Sequence, residues 1–133
     1  MNCPYCKSDS KVSNSRPTAK GTQIWRRRTC KSCRQIWTTQ EVIDLTTSHK
    51  VTSANNTVQP FSRDKLFISI KEACAHRKSA LGDSTALTDT VLSLVLRQKT
   101  ANLSNQQLKD ITFQVITRFD KTAGAVYRAK HKN

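Results

Sequence analysis

The pattern of apolar and polar positions changes once along the chain, near residue 62. Before this point, short apolar stretches alternate with polar residues and are separated by turn-forming residues, which is typical of small β-hairpins. The predicted strands are "KVSNSRP", "TQIWRRRTC" and "RQIWTTQEV", with "AKGT" as the turn between the first two. We therefore predict a small β domain over residues 1–45.

The polar stretch "DLTTSHKVTSANNTVQP" follows this region. It could be an unstructured linker. However, Val51 and Val58 flank "TSANNT", in which Asn55 and Asn56 tolerate the positive φ of a turn. We favour a short hairpin over residues 50 to 60.

After residue 62, apolar residues recur every three or four positions, as on the buried faces of helices. Three faces are predicted: Leu66, Ile70, Ala73 and Cys74; Leu87, Val91, Leu94 and Val95; Leu108, Ile111, Val115 and Phe119. Gly82-Asp83-Ser84 is predicted to separate the first two helices. Ser104 and Gln107 predict a capping box before the third helix. The stretch "VYRAK" predicts a last helix of about ten residues. The predicted fold class is a small two-domain α+β protein, in which residues 46–133 form a mainly helical domain with a short β-hairpin and about four helices.

Composition adds two constraints. Only 36% of the 133 residues are hydrophobic and 6% are aromatic, which indicates small cores that need a disulfide or metal staple. The net charge of +14 and the pI near 10.1 favour a polyanionic partner such as nucleic acid over a membrane surface, because the basic run lacks an apolar face.

No apolar segment approaches the roughly twenty residues that span a bilayer. The first residues lack a signal-peptide pattern. We therefore expect a cytoplasmic, nucleoid-associated protein without membrane contact, whose thiols stay reduced.

Four of the five cysteines form two C-x-x-C pairs with 23 residues between them: Cys3 with Cys6, and Cys30 with Cys33. Zinc takes four ligands in tetrahedral geometry, and two such pairs on facing hairpins supply four thiolates. A redox dithiol would need a βαβ setting and would leave the second pair unexplained. We predict a closed, structural zinc site; iron is the alternative that the spacing leaves open. Cys74 lies on a helical face and is predicted to be a core thiol.

Basic residues concentrate around the cysteines, since residues 1 to 40 hold nine Lys or Arg and one acid, Asp9. In "WRRRTCKSC", three arginines directly precede the second cysteine pair. They could merely offset the thiolate charge, but the remaining basic residues exceed that need. We therefore favour contact with phosphates or base edges, which the arginine fork bonds bidentately. Strand alternation should point Arg26 and Arg28 to one side and Arg27 to the other.

Further motifs run almost from end to end: "MNCPYC", "KVSNSRP", "IWRRRTCKSC", "WTTQE", "PFSRDKL", "EACAHRK" and "VYR". In this order they resemble the NrdR-type bacterial transcriptional repressors of ribonucleotide reductase genes. That family combines an N-terminal zinc ribbon with an ATP-cone domain. The resemblance implies a homo-oligomer that binds paired promoter boxes in double-stranded DNA. It also implies that ATP and dATP, as effectors in the cone, set the oligomeric state and hence the DNA affinity.

The resemblance also implies residue roles. The two cysteine pairs would hold structural Zn²⁺. The DNA-binding candidates that it implies are Arg16, Arg26, Arg27 and Arg28, and the basic charge around the cysteines adds Lys20 and Arg34. The nucleotide-binding candidates are Lys50, Val51, Lys65, Arg77 and Lys78; each basic one could instead be an ordinary solvated side chain.

The chain departs from the family pattern at informative places. Asn14 replaces the acid of a "DSR" element, and Trp25 and Ile36 replace arginines, so the DNA sequence that is read should differ. Ser53 and Ala54 stand where the family has a Lys-Arg pair that would meet phosphates. These last two replacements predict altered, weakened or lost nucleotide binding. If binding is lost, the second domain would serve mainly for oligomerisation.

Two other function classes compete with a regulated repressor. One is an unregulated zinc-ribbon module for single-stranded or structured nucleic acid, with Trp25 and Trp37 stacking on bases; ribbon core is the more usual role for such residues. The other is an enzyme. Three glycines in the whole chain exclude a Walker-type loop, and the three histidines are scattered. We therefore predict no catalysis, and ATP bound without hydrolysis.

Overall fold

Three antiparallel strands form the first part of the chain: β1 (Ser10–Pro17), β2 (Gln23–Cys30) and β3 (Ile36–Val42). β2 pairs with both neighbours, so the sheet order is β1-β2-β3. The register shifts between Val12 and Asn14, which marks a β-bulge in β1. The three predicted strands are confirmed.

The computed structural model describes residues 1–18 and 21–132. The chain divides into two compact units, Met1–Ile43 and Asp44–Asn133. We call these the ribbon unit and the helical unit. No described helix is both long and apolar enough to cross a membrane.

The helical unit begins with a small sheet made of β4 (Lys50–Thr52), β5 (Val58–Pro60) and β6 (Asn102–Ser104). β4 and β5 form the predicted antiparallel hairpin, and Asn56 in its turn has a φ of 60°. β6 pairs with β4 in parallel and was not predicted from the sequence. Three residues are too few to show an alternating strand pattern, and β6 is a strand only because it pairs with β4.

Four helices follow in the described chain: α1 (Arg63–Ala73), α2 (Ala80–Arg97), α3 (Asn105–Phe119) and α4 (Lys121–Lys130). The predicted capping box before α3 is present, because the Ser104 side chain accepts from the Gln107 N–H and the Gln107 side chain accepts from the Ser104 N–H. The last helix has the predicted length of ten residues.

Two sequence predictions in this unit are wrong. Gly82-Asp83-Ser84 does not separate α1 from α2, since all three residues lie in the first turns of α2. The chain turns earlier, at residues 74 to 79. Phe119 was placed on a core face but is 44% exposed, and the Arg77 guanidinium lies over its ring.

The core of the helical unit is built from the predicted helix faces together with residues of the small sheet. Ile70, Cys74, Val91 and Val95 are fully buried. Phe61 and Leu103 add buried side chains next to β5 and within β6. The predicted α+β fold class, a β ribbon followed by a hairpin and four helices, is confirmed, and Cys74 is a core thiol as expected.

Candidate metal centre and nucleic-acid interface

Each C-x-x-C pair folds into the same tight turn, which we call a knuckle. The first cysteine of each pair, Cys3 or Cys30, donates its N–H to a carbonyl five residues further along, at 2.8 and 2.9 Å. The residue after each pair, Lys7 or Arg34, has a positive φ of 64° or 63°. This left-handed residue reverses the chain after the second cysteine, so both thiols of a pair face the same side.

The four cysteine sulfurs converge, since all Sγ atoms lie within 4.8 Å of one another. Sγ of Cys3 is 3.6 Å from Sγ of Cys33, and Sγ of Cys6 is 3.5 Å from Sγ of Cys30. Disulfide sulfurs would be about 2.05 Å apart. Four sulfurs about 2.3 Å from a tetrahedral zinc ion are separated by roughly 3.8 Å. The four thiols therefore fit structural zinc and leave no coordination position open.

Hydrogen bonds reach the cysteine sulfurs from neighbouring residues of the knuckles. The backbone N–H groups of Ser32 and Cys33 donate to Sγ of Cys30 at 3.3 and 3.4 Å. Hydrogen bonds from Ser8 lower the pKa of Cys6 to about 6. For Cys33, the backbone N–H of Gln35 lowers the pKa, but desolvation and the neighbouring thiols raise it to about 12. A bound zinc ion would deprotonate all four thiols, because a coordinating thiol loses its proton to the metal charge.

The three arginines of β2 alternate between the two faces of the sheet, as predicted. Arg27 is exposed, whereas Arg26 and Arg28 are half-buried. Nη2 of Arg26 forms an ion pair with Glu41 at 3.0 Å, and Nε of Arg28 donates to Oγ1 of Thr39 at 3.3 Å. Arg26 and Arg28 therefore have partners within the sheet.

Arg27 shares its face with another basic residue and an aromatic one. Arg16 on β1 pairs directly with Trp25 on β2, and Trp25 lies two residues before Arg27, hence on the same side. On β3, Thr38 is opposite Arg27 and Gln40 is opposite Trp25. We call the surface formed by Arg16, Trp25, Arg27, Thr38 and Gln40 the Arg27 face. It carries two exposed arginines and hydrogen-bonding side chains on one side of the sheet.

Two further predicted DNA contacts are Arg34 and Lys20. Arg34 is exposed and lies in the second knuckle rather than on a strand. Lys20 lies outside the described residues. Trp37 is paired with Arg28, so the two tryptophans are on opposite faces of the sheet.

The helical unit contains a cavity of about 390 Å³ between the β4–β5 hairpin, α1, α3 and α4. We call it the hairpin cavity. Its lining includes Val51, Lys65, Leu66, Asn105, Leu108 and Tyr127. Of the five predicted nucleotide-binding residues, the structure brings Val51 and Lys65 to this cavity, while Lys50, Arg77 and Lys78 are not among its lining residues.

Arg77 lies in the turn between α1 and α2 and instead contacts α2 and the N-cap of α4. Its guanidinium donates to Asp83 on α2 at 2.7 Å and to Asp120, the N-cap of α4, at 2.9 Å. The N–H of Ala123 and then Arg77 and His76 hold the pKa of Asp120 well below its usual range. These contacts give Arg77 a structural role, because they tie the turn between α1 and α2 to α2 and to the start of α4.

Two cavity residues were missed when binding residues were assigned from the sequence. Tyr127, in the "VYR" motif, is buried, and burial raises the pKa of its phenol. The ring of His131 stacks on it, with ring centroids 4.2 Å apart. Tyr127 could have been found, because its motif was noted; His131 follows one helical turn later and carried no sequence signal.

Known proteins resemble this chain over nearly its whole length. A protein of Psychrobacter arcticus named transcriptional repressor NrdR is 32% identical over 133 residues, which cover 96% of this chain and 87% of that protein. This chain belongs to the NrdR family of transcriptional repressors. Further NrdR proteins, from Alkaliphilus oremlandii and Sphingopyxis alaskensis, are 34% and 35% identical over 137 residues, covering 96% of this chain and 86% and 85% of theirs.

The ribbon unit also matches a domain model of this family. The model, described as the N-terminal domain of NrdR-like transcriptional repressors, covers residues 1–41 and thus both knuckles and nearly all of the first sheet. The resemblance noted from the sequence motifs is confirmed. The names of the NrdR relatives describe repressors, not enzymes.

Proposed function

We propose that this NrdR-family protein represses ribonucleotide reductase genes by binding double-stranded promoter DNA, and that ATP and dATP adjust its assembly and DNA affinity. Zinc in the four-cysteine site would hold the ribbon sheet in the shape that contacts DNA. The helical unit would hold the nucleotide and form the homo-oligomer. Two ribbons spaced by such an assembly could engage paired boxes together, which raises avidity without new contacts.

The Arg27 face is the observation that carries the DNA-binding part of this proposal. It places two exposed arginines beside Thr38 and Gln40, whose side chains can bond base edges or phosphates. Arginine suits both tasks because its planar fork bonds phosphate or guanine bidentately. Arg26 and Arg28, with partners inside the sheet, would mainly support the strand and add positive potential.

Arg27→Gln tests this assignment. We expect weaker binding to a reductase promoter duplex and a fall of about one in the slope of log K against log salt, because one phosphate contact is lost. Arg97→Gln, which removes one exposed positive charge from the end of α2, is the matched control and should leave the slope unchanged. Equal effects of the two variants would contradict a specific role for the Arg27 face.

The regulatory part rests on the hairpin cavity. Its volume of about 390 Å³ lies in the range of small-molecule sites, and apolar walls at Leu66 and Leu108 accompany polar groups at Asn105 and Lys65. We propose Val51 and Lys65 as nucleotide contacts there. A nucleotide that binds one assembly better than another shifts the population toward it.

Native mass spectrometry with ATP, with dATP and without nucleotide tests this regulation. We expect bound nucleotide and a change in assembly size between the two nucleotides. A promoter footprint that is identical in all three conditions would contradict nucleotide regulation while leaving DNA repression intact.

The competing proposal, a stacking module for single strands, is supported less well. Trp25 and Trp37 lie on opposite faces of the sheet, so one strand of bases cannot stack on both without wrapping around the sheet edge. Binding of a random single strand as tightly as the promoter duplex, at equal salt, would favour the module instead.

A further inference from the structure

A second, smaller cavity of about 200 Å³ adjoins the hairpin cavity. We call it the C-terminal cleft. The two cavities share Lys109, Tyr127 and His131 as lining residues, so they meet at the stacked Tyr127–His131 rings. The two cavities are therefore neighbours along this pair of rings.

The His131 ring is fixed in place at the junction. Its Nδ1–H donates to the backbone carbonyl of Tyr127 at 2.8 Å, and its Nε2 is hydrogen-bonded to the Ser69 hydroxyl at 2.8 Å. Both ring nitrogens are hydrogen-bonded, so the His131 ring is held in one orientation where the two cavities meet.

The two cavities differ in charge. The C-terminal cleft is lined by three cationic side chains, Lys109, Arg128 and Lys132, against one acid, Asp110. Oδ1 of Asp110 accepts a hydrogen bond from Gln106 at 2.8 Å, so part of its acceptor capacity is used. The cleft therefore has a positive excess suited to an anion.

Arg128 is well placed within this cleft. It is exposed, and its guanidinium carbon lies 5.0 Å from the centre of the Phe113 ring. Stacking on an aromatic face leaves the N–H groups at the edge of the guanidinium available to a bidentate acceptor. A phosphate group is such an acceptor.

Compared with the C-terminal cleft, the hairpin side of the larger cavity has fewer basic residues. The hairpin residues that line it are Val51, Ser53, Thr57, Gln59 and Pro60, none of them basic. Lys65 is its one cation not shared with the cleft, and Nζ of Lys65 donates to Oε1 of Gln59 at 3.4 Å. Charge alone therefore favours phosphates at the opposite end, in the C-terminal cleft.

We propose that the C-terminal cleft is a phosphate-binding subsite formed by Lys109, Arg128 and Lys132. A nucleotide whose base and sugar occupy the hairpin cavity would extend its phosphates past the Tyr127–His131 pair into this cleft, away from the β4–β5 turn. The direction of the nucleotide rests on the nucleotide binding proposed above. The phosphate subsite itself does not.

Isothermal titration of the full-length, zinc-loaded protein with tripolyphosphate, ATP and adenosine separates these two parts. Arg128→Gln should weaken tripolyphosphate and ATP binding by about tenfold or more, and leave adenosine binding unchanged. Lys132→Gln should act in the same direction and serves as the second variant. Lys130→Gln is the matched control, because Lys130 lies on the same helix but pairs with Glu72 at 3.0 Å and does not line the cleft.

The outcomes are distinct. ATP binding that both cleft variants leave unchanged would overturn the subsite while sparing nucleotide regulation. Tripolyphosphate binding that Arg128→Gln weakens, in a protein that binds neither ATP nor adenosine, would support the subsite and contradict nucleotide regulation. No binding of tripolyphosphate or ATP would overturn the subsite. Arg128→Gln could also weaken binding to the promoter duplex, without nucleotide, by as much as it weakens tripolyphosphate binding. That result would assign these cations to DNA and would overturn the phosphate subsite.

Discussion

The ribbon unit buries two of its described residues, Cys3 and Cys30, whereas the helical unit buries a hydrophobic cluster of fourteen. In the ribbon unit the tryptophans are half-buried, and Ile36, Val42 and Ile43 are about half exposed. Its sheet therefore has no apolar layer of its own. The helical unit, by contrast, packs residues from all four helices and from β6 around Ile70, Val91 and Ile116.

This difference indicates two sources of stability in one short chain. A three-stranded sheet without a buried face is marginal in water, so the free energy of metal binding must supply what burial does not. The helical unit follows the usual rule that apolar area removed from water drives folding. Changes that target one source should leave the other unit intact.

Metal removal should have the largest effect. Structural zinc contributes about 10–16 kcal/mol in comparable small domains, so chelation or Cys30→Ser should unfold the ribbon unit and abolish promoter binding. Both tryptophans lie in the ribbon unit, and all described helices lie in the other. Tryptophan fluorescence should therefore change while circular dichroism at 222 nm is retained. Cys74→Ser, at a cysteine buried in the helical core, is the control and should keep the metal content.

Core truncation should have the next largest effect, confined to the helical unit. Ile70 is fully buried, so Ile70→Ala should lower the free energy of unfolding of this unit by about 2–5 kcal/mol. The matched control is Ile68→Ala, the same change two residues earlier at a side chain that is 53% exposed. It should change the free energy of unfolding by less than about 0.5 kcal/mol. Urea denaturation followed at 222 nm measures both. Similar values for the two variants would contradict the assigned core.

Two glycines in helices should respond in opposite directions to replacement by alanine. At Gly124 on α4, an added Cβ would collide with the Thr117 hydroxyl and approach Cα of Thr117 to 3.0 Å, so Gly124→Ala should destabilise by about 1–3 kcal/mol. At Gly82 on α2, nothing lies within 4 Å, and Gly82→Ala should stabilise by about 0.5–1 kcal/mol. Thermal melts at 222 nm give the sign of each change. Destabilisation by Gly82→Ala would argue for the helix break that the sequence predicted there.

Loss of the Asp120 carboxylate, which Arg77 and His76 contact, should give the smallest effect, seen as a change in the pH dependence of stability. The pKa of Asp120 is lower in the folded than in the unfolded protein, so its stabilisation is present above the ordinary carboxylate pKa and is lost as the pH falls through the folded value. Asp120→Asn should lower stability at neutral pH and flatten the acid limb of the stability curve. Asp64→Asn, at an exposed carboxylate in the first turn of α1, is the comparison. An acid limb unchanged in Asp120→Asn would show that other groups cause it.

Local chemistry accounts for what could be predicted from the chain. The four cysteines were assigned from spacing, because a C-x-x-C turn brings its two sulfurs together whatever surrounds it. Asn56 in the hairpin turn, the Ser104 capping box and the alternation of Arg26, Arg27 and Arg28 likewise depend on neighbours a few residues away. At Gly82 the same reasoning failed, because packing of Leu87 and Val91 holds α2 together through a residue that disfavours helix.

Short-range patterns were enough to predict the two C-x-x-C pairs, the strand and helix periods and the basic character of the ribbon unit, since each depends on residues close together in the chain. Long-range packing, which no such pattern contains, engages Arg77 with Asp83 and Asp120 and pairs β6 with β4. The same packing brings Lys109, Arg128 and Lys132 to one cleft. These contacts join residues distant along the chain, and their positions depend on how helices pack rather than on any local pattern.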